Sequence, residues 1–107
     1  MKSEDKPFLP ACAKDLKERL ALPDTPTGVS REELASCICP TISRLLNQHM
    51  EKLLQLCYQV DLGEEKLKQI LNHSPVSSMA MDLSLALVDR QLLKVRLRAA
   101  YRSDPDT

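Results

Sequence analysis

The segment from Val76 to Tyr101 constrains the fold more than any other part of the chain, because it contains neither proline nor glycine and is rich in leucine. Nothing in it interrupts a helix, and at about 1.5 Å per residue that helix is near 40 Å long. A rod of this length exceeds the expected width of a 107-residue domain. The other elements are therefore expected to pack along it, and its first half, apolar nearly all round, is expected to be buried on most sides.

Composition extends this expectation to the whole chain. Nineteen leucines accompany only two glycines and eight isoleucines and valines, which favours helix over sheet. The formal net charge of zero gives no global basic field of the kind that attracts nucleic acid. We predict an all-α fold, a small helical bundle of about four helices with a long C-terminal helix.

Local signals indicate where the helices begin and end. Ser30 followed by Glu33 is a capping box, and an apolar stripe with helical spacing then runs from Leu34 to Val60. Pro40 interrupts the stripe by removing an amide donor, which predicts helices at 31–38 and 40–60, nearly in line or moderately bent.

Two further boundaries follow from the residues after that stripe. Asp61 with Glu64 three positions later predicts a cap for a helix that starts around Leu62. That helix is expected to end before Pro75, with Ser74 capping the last helix.

The chain divides into an arm, a helical domain and a tail. Residues 1–29 hold four of the seven prolines and form a Pro-rich arm, in which 11–22 has the spacing of a short amphipathic helix. Residues 30–102 form the helical domain, and 103–107 are expected to be a disordered tail.

The second half of the last helix carries the functional prediction. Its apolar residues are too many for one narrow stripe, so either the 11–22 helix or another chain must cover them. We predict a non-enzymatic protein–protein interaction or self-association module, with a closed twofold homodimer burying these side chains. The predicted self-association residues are Leu92, Leu93, Val95 and Leu97.

A basic run in the same segment leaves two kinds of partner open. No acidic residue occurs between positions 90 and 102, so the cations can contact an acidic protein or, as an alternative, the phosphates of a nucleic acid for which this chain is an accessory factor. They can also simply solvate the face and offset the helix dipole. The residues are Arg90, Lys94, Arg96, Arg98 and Arg102.

Cysteine and histidine chemistry is the remaining alternative. Cys37 and Cys39 are two apart, so on one helix they point away from each other and share a metal only if Pro40 opens the helix. His49 lies on the apolar stripe, about 12 Å along the axis from Cys57, too far for a thiol–base pair. We therefore predict no enzyme activity and no cofactor, metal or small-molecule substrate.

The N-terminal residues indicate a compartment. They are charged, with no apolar segment that would suit a secretory signal, and no later apolar stretch approaches the roughly 20 residues that span a bilayer. Four cysteines in such a chain favour free thiols. The prediction is a soluble cytoplasmic protein without membrane contact.

Two segments carry a resemblance. From Tyr58 to Lys68 a long helix ends in an acidic cap before a lysine-rich short helix, and from Leu87 to Arg96 a carboxylate–Arg–Gln step precedes a basic tail. Within residues 42–102 these segments resemble small uncharacterised bacterial all-helical proteins. The resemblance implies a compact helical domain and carries over no catalytic residue.

Overall fold

The computed structural model describes residues 6–21 and 30–102, and over those ranges the chain forms five α-helices and no strand. A short 3-10 turn, Lys6–Phe8, leads into the first helix. The predicted all-α bundle with a long C-terminal helix is confirmed, and four of the helices lie in 30–102. The predicted tail at 103–107 lies outside the described residues, as do 1–5 and 22–29 of the predicted arm. The helices are α1 (Leu9–Leu20), α2 (Arg31–Gln48), α3 (Met50–Gln59), α4 (Glu64–His73) and α5 (Val76–Arg102).

The long helix α5 is the element on which the others pack. Its most extensive partner is α2, and α1 and α4 also lie against it. Leu83, Leu87 and Val88 are fully buried, and so is Ser84, whose hydroxyl donates to the Ala80 carbonyl at 2.7 Å. Residues 79–88 of α5 are thus all buried or half-buried, as their sequence predicts, whereas Val76 and Ser77 at its start are exposed.

The predicted short helix in the arm forms as α1 and packs into the same core as the rest of the chain. It begins at Leu9, with Pro10 in the first turn where a missing amide costs little. Contact with α5 includes the Cys12 thiol, which donates to the Val88 carbonyl at 3.8 Å. The arm therefore covers part of the apolar surface of α5. Its buried residues are Leu9, Cys12, Ala13, Leu16 and Leu20.

The predicted helix break at Pro40 is wrong, because α2 runs through it and ends at Gln48. Pro40 and Ser36 are both exposed, so water can reach the Ser36 carbonyl that loses its amide partner. The break falls instead at His49, whose backbone is not helical (φ −141°, ψ 59°). His49 donates its N–H to the Leu45 carbonyl and accepts from the amides of α3, so it ends one helix and begins the next.

The capping box at Ser30 is confirmed: the Ser30 hydroxyl accepts from the Glu33 amide, and the Glu33 carboxylate accepts from the Ser30 amide. The predicted Asp61 cap is wrong, because α4 begins at Glu64 after Gly63. Gly63 has a φ of +92°, a conformation that favours glycine.

Asp61 instead terminates α3. Its φ is +60°, its amide donates to the Tyr58 carbonyl at 3.1 Å, and the Leu62 amide donates to the Cys57 carbonyl at 2.9 Å. This pair of bonds is a Schellman motif with aspartate in the left-handed position.

The boundary between α4 and α5 lies close to its prediction. Ser74, predicted to cap α5, is instead the C-cap of α4, and its amide donates to the Ile70 carbonyl at 3.0 Å. The helix α5 begins at Val76, directly after Pro75.

Candidate functional site

The second half of α5 has one buried face and one exposed face. Leu92 and Val95, predicted as self-association residues, are only 3% and 4% exposed, because they point into the core of their own chain. At about 100° per residue they lie on the opposite side of the helix from Leu93 and Leu97. Leu92 and Val95 are therefore removed from the predicted interaction surface, and Leu93 and Leu97 remain in it.

Three apolar side chains make up that exposed face, which we call the α5 stripe: Leu93, Leu97 and Tyr101. Their exposed fractions are 37%, 48% and 80%. Their four-residue spacing places them on one side of the helix. Tyr101 was not among the predicted residues, although its spacing from Leu97 repeats that of Leu97 from Leu93.

Two of the predicted basic residues hold the C-terminus of α3. Arg90 Nε donates to the Val60 carbonyl at 3.3 Å, and Lys94 Nζ donates to the Gln59 carbonyl at 2.9 Å and lies 3.4 Å from the Asp61 carboxylate. A helix leaves its last carbonyls without amide partners, and cations are stabilising there. These two cations therefore connect α5 to the end of α3.

A third basic residue belongs to a network that joins α1 to α5. Asp15 Oδ2 accepts from Arg98 Nη2 at 3.0 Å and from Gln91 Nε2 at 2.9 Å. Gln91 is 1% exposed, and its Oε1 has no partner in the described structure. The single carboxylate of Asp15 is thus the partner of both a buried amide and a surface guanidinium.

The other two predicted cations are placed differently. Arg96 is exposed on the surface of α5. Arg102 is the last residue of α5, and its side chain lies outside the described part of the chain.

An acidic residue next to this run is tied to the start of α2. Asp89 accepts from both Nε and Nη2 of Arg31, the latter at 2.8 Å, in a bidentate pair. The hydrogen bond to Asp89 raises the pKa of Arg31 above its ordinary value, and a smaller effect of burial opposes it. Asp89 therefore ties α5 to the start of α2.

The cysteines and histidines are spread over the fold. Cys37 and Cys39 are half-buried on a stretch of α2 that stays helical, so the local opening a shared metal would need does not occur. Burial raises the pKa of the Cys57 thiol to about 11. His49 is exposed, not buried on the apolar stripe as predicted, because the helix breaks at that residue. Over residues 6–21 and 30–102, no three His, Cys, Asp or Glu side chains form a metal-binding group.

A second apolar surface, missed in the sequence, lies between α3 and α4. A groove of about 240 Å³ is lined mainly by Leu54, Tyr58, Leu67 and Leu71, with Glu64 and Lys68 among the other lining residues. The four-residue spacing of Leu54 and Tyr58 is a sequence signal for it. Its rim carries both signs of charge.

No helix in the described part of the chain combines the length and apolar character needed to cross a membrane. A scan of protein-family models, a search of curated proteins and a search of solved structures found no match to this chain.

Proposed function

We propose that this chain is a non-enzymatic protein-interaction module whose α5 stripe binds an acidic amphipathic helix of a partner protein. The observation that carries the proposal is an apolar stripe at helical spacing on a helix that has no acidic residue between 90 and 102. Apolar side chains three or four positions apart are the anchors by which one helix recognises another, and the stripe has the four-residue spacing. A cytoplasmic location belongs to this proposal and agrees with four cysteines that form no disulfide.

The charges beside the stripe favour an acidic partner. Carboxylates pair with Lys94 and Arg98, whereas Arg90 donates to the uncharged carbonyl of Val60. An acidic partner would complement this excess of positive charge and associate faster because of it. In a partner helix, glutamates beside the apolar anchors fit best.

The same charges oppose the predicted homodimer. Two copies meeting at the stripe would bring their basic residues together along one seam, and like charges across an interface are destabilising. The stripe also offers three side chains, far fewer than the roughly 20–30 residues that each subunit of a standard interface supplies. A single docked helix suits this size better than a second subunit.

The test uses a fluorescent amphipathic peptide with leucines at four-residue spacing flanked by glutamates, and a control peptide with lysines in place of the glutamates. We expect the acidic peptide to bind in roughly the micromolar range and the basic peptide to bind at least about tenfold more weakly. Leu93→Glu is expected to abolish binding. Leu54→Glu is the matched control, because Leu54 is also 37% exposed but lies on α3.

Four results would contradict the proposal. Equal binding of both peptides, or equal loss with Leu93→Glu and Leu54→Glu, would remove the role of the stripe. If light scattering shows that the unchanged chain is a dimer and that Leu93→Glu disrupts it, the stripe is a self-association surface. Preferential, steeply salt-dependent binding of an oligonucleotide would favour the nucleic-acid alternative.

A further inference from the structure

A second group of positive charges lies away from α5, in a cavity where α1, α2 and α3 meet. The cavity has a volume of about 490 Å³. Arg19 from α1, Arg44 from α2, and His49 and Lys52 from the α2–α3 junction line it, and we call it the basic cavity. No aspartate or glutamate is among its lining residues.

The cations of the basic cavity differ in their partners from three cations elsewhere in the described structure. Arg31, Lys94 and Arg98 each lie beside a carboxylate. The side chains of Arg44 and Lys52, by contrast, make no hydrogen bond or ion pair to any described residue.

The side chains of Arg19 and His49, which also line the cavity, likewise have few hydrogen-bond partners. Arg19 has one long hydrogen bond, 3.5 Å from its Nη1 to Oε1 of Gln59. The His49 side chain provides no cap for α3, a helix of ten residues whose N-terminus adds positive potential at the same place. Charge from three helices therefore converges on one concave site without an internal counter-charge.

We infer that the basic cavity binds a small phosphorylated ligand. Guanidinium groups match the geometry of phosphate oxygens, and a lysine supplies a further point charge. The volume falls within the about 300–1,000 Å³ range of small-molecule sites, so it has room for more than one phosphate group or for a phosphate with an organic body. Leu20, Leu45 and Leu56 line the cavity as well and would contact such a body.

Inorganic pyrophosphate is the probe for this site, titrated into the full chain in a calorimeter. We expect saturable binding that Arg44→Gln combined with Lys52→Gln weakens by about tenfold or more. Both residues are exposed, so unchanged thermal unfolding should show that the fold is retained. Lys14→Gln is the matched control, an exposed cation on α1 outside the cavity, and is expected to bind as the unchanged chain does.

A parallel titration with an organic diphosphate tests whether the leucines of the cavity contact the organic body of a ligand. Tighter binding of the organic diphosphate than of pyrophosphate would support that contact. Absence of pyrophosphate binding, or equal weakening by Lys14→Gln, would overturn the inference. Binding of an oligonucleotide but of neither small phosphate would also overturn it, since the cavity would then belong to a nucleic-acid surface.

Discussion

Removal of the Asp15 carboxylate should weaken the attachment of α1 to α5 and lower the free energy of unfolding. Asp15→Ala leaves the buried Nε2 of Gln91 without an acceptor, and the Oε1 of the same amide has no partner either. An unsatisfied buried polar group costs about 1–3 kcal/mol. The lost pair with Arg98, which is half-exposed, adds only about 0.2–1 kcal/mol. The free energy of unfolding should therefore fall by about 1–4 kcal/mol.

Urea denaturation followed by circular dichroism measures this loss of stability. A double-mutant cycle shows how much of it comes from the contact between Asp15 and Gln91. In a Gln91→Leu background no buried donor remains, so Asp15→Ala should cost only the surface pair with Arg98, about 0.2–1 kcal/mol. The coupling energy between Asp15 and Gln91 is then about 1–3 kcal/mol. Glu18→Ala, an exposed change on the same helix, is the control and should stay within about 0.5 kcal/mol.

The reasoning would be refuted by an equal loss in both backgrounds, or by a loss below about 0.5 kcal/mol in the unchanged chain. Either result would mean that α1 does not depend on the buried amide for its attachment to α5. Asp15→Asn keeps an acceptor oxygen, so its loss should be smaller than that of Asp15→Ala.

Three further predictions concern local features. Gly63→Ala should destabilise the fold by about 1 kcal/mol in urea denaturation, because alanine is strained at a φ of +92° while its Cβ meets no atom within 4 Å; an unchanged midpoint would contradict this. Ser30→Ala should lose about 0.5–2 kcal/mol through the capping box, and Ser30→Asp, which restores the acceptor, should recover most of it. Burial raises the pKa of Cys57 from 9.0 to about 11, so the stability due to its neutral thiol is present below pH 9 and falls as the pH rises toward 11. Cys57→Ala should lack that part of the pH dependence measured by urea denaturation, and an identical profile would refute it.

Features set by local chemistry could be predicted from the sequence. The helical class, the long α5 and the capping box at Ser30 depend on composition and on neighbours within one turn. The sequence also allows the prediction that Leu92 and Leu93 lie on different faces of α5, since the helical repeat alone separates them. Counting apolar residues without placing them around the helix overestimated the uncovered surface.

Features set by tertiary structure could not be predicted in the same way. Pro40 breaks a helix only where the freed carbonyl lacks a substitute partner, and its exposure depends on how α2 packs. Asp61 has the residue type of an N-cap, but it serves the end of the preceding helix, where Lys94 lies beside it. The basic cavity combines Arg19 with Arg44, residues far apart in the chain that no spacing rule connects.

The central claim is that the α5 stripe is a docking surface for an acidic helix of another protein. Photocrosslinking tests it most directly: a benzophenone amino acid replaces Leu97 in cells that express the chain, and mass spectrometry identifies the crosslinked peptide. The account predicts an adduct at an acidic amphipathic segment of a different protein, and no such adduct when the probe replaces the exposed Lys14. Adducts to a second copy of the chain, to nucleic acid, or equally from both positions would contradict it.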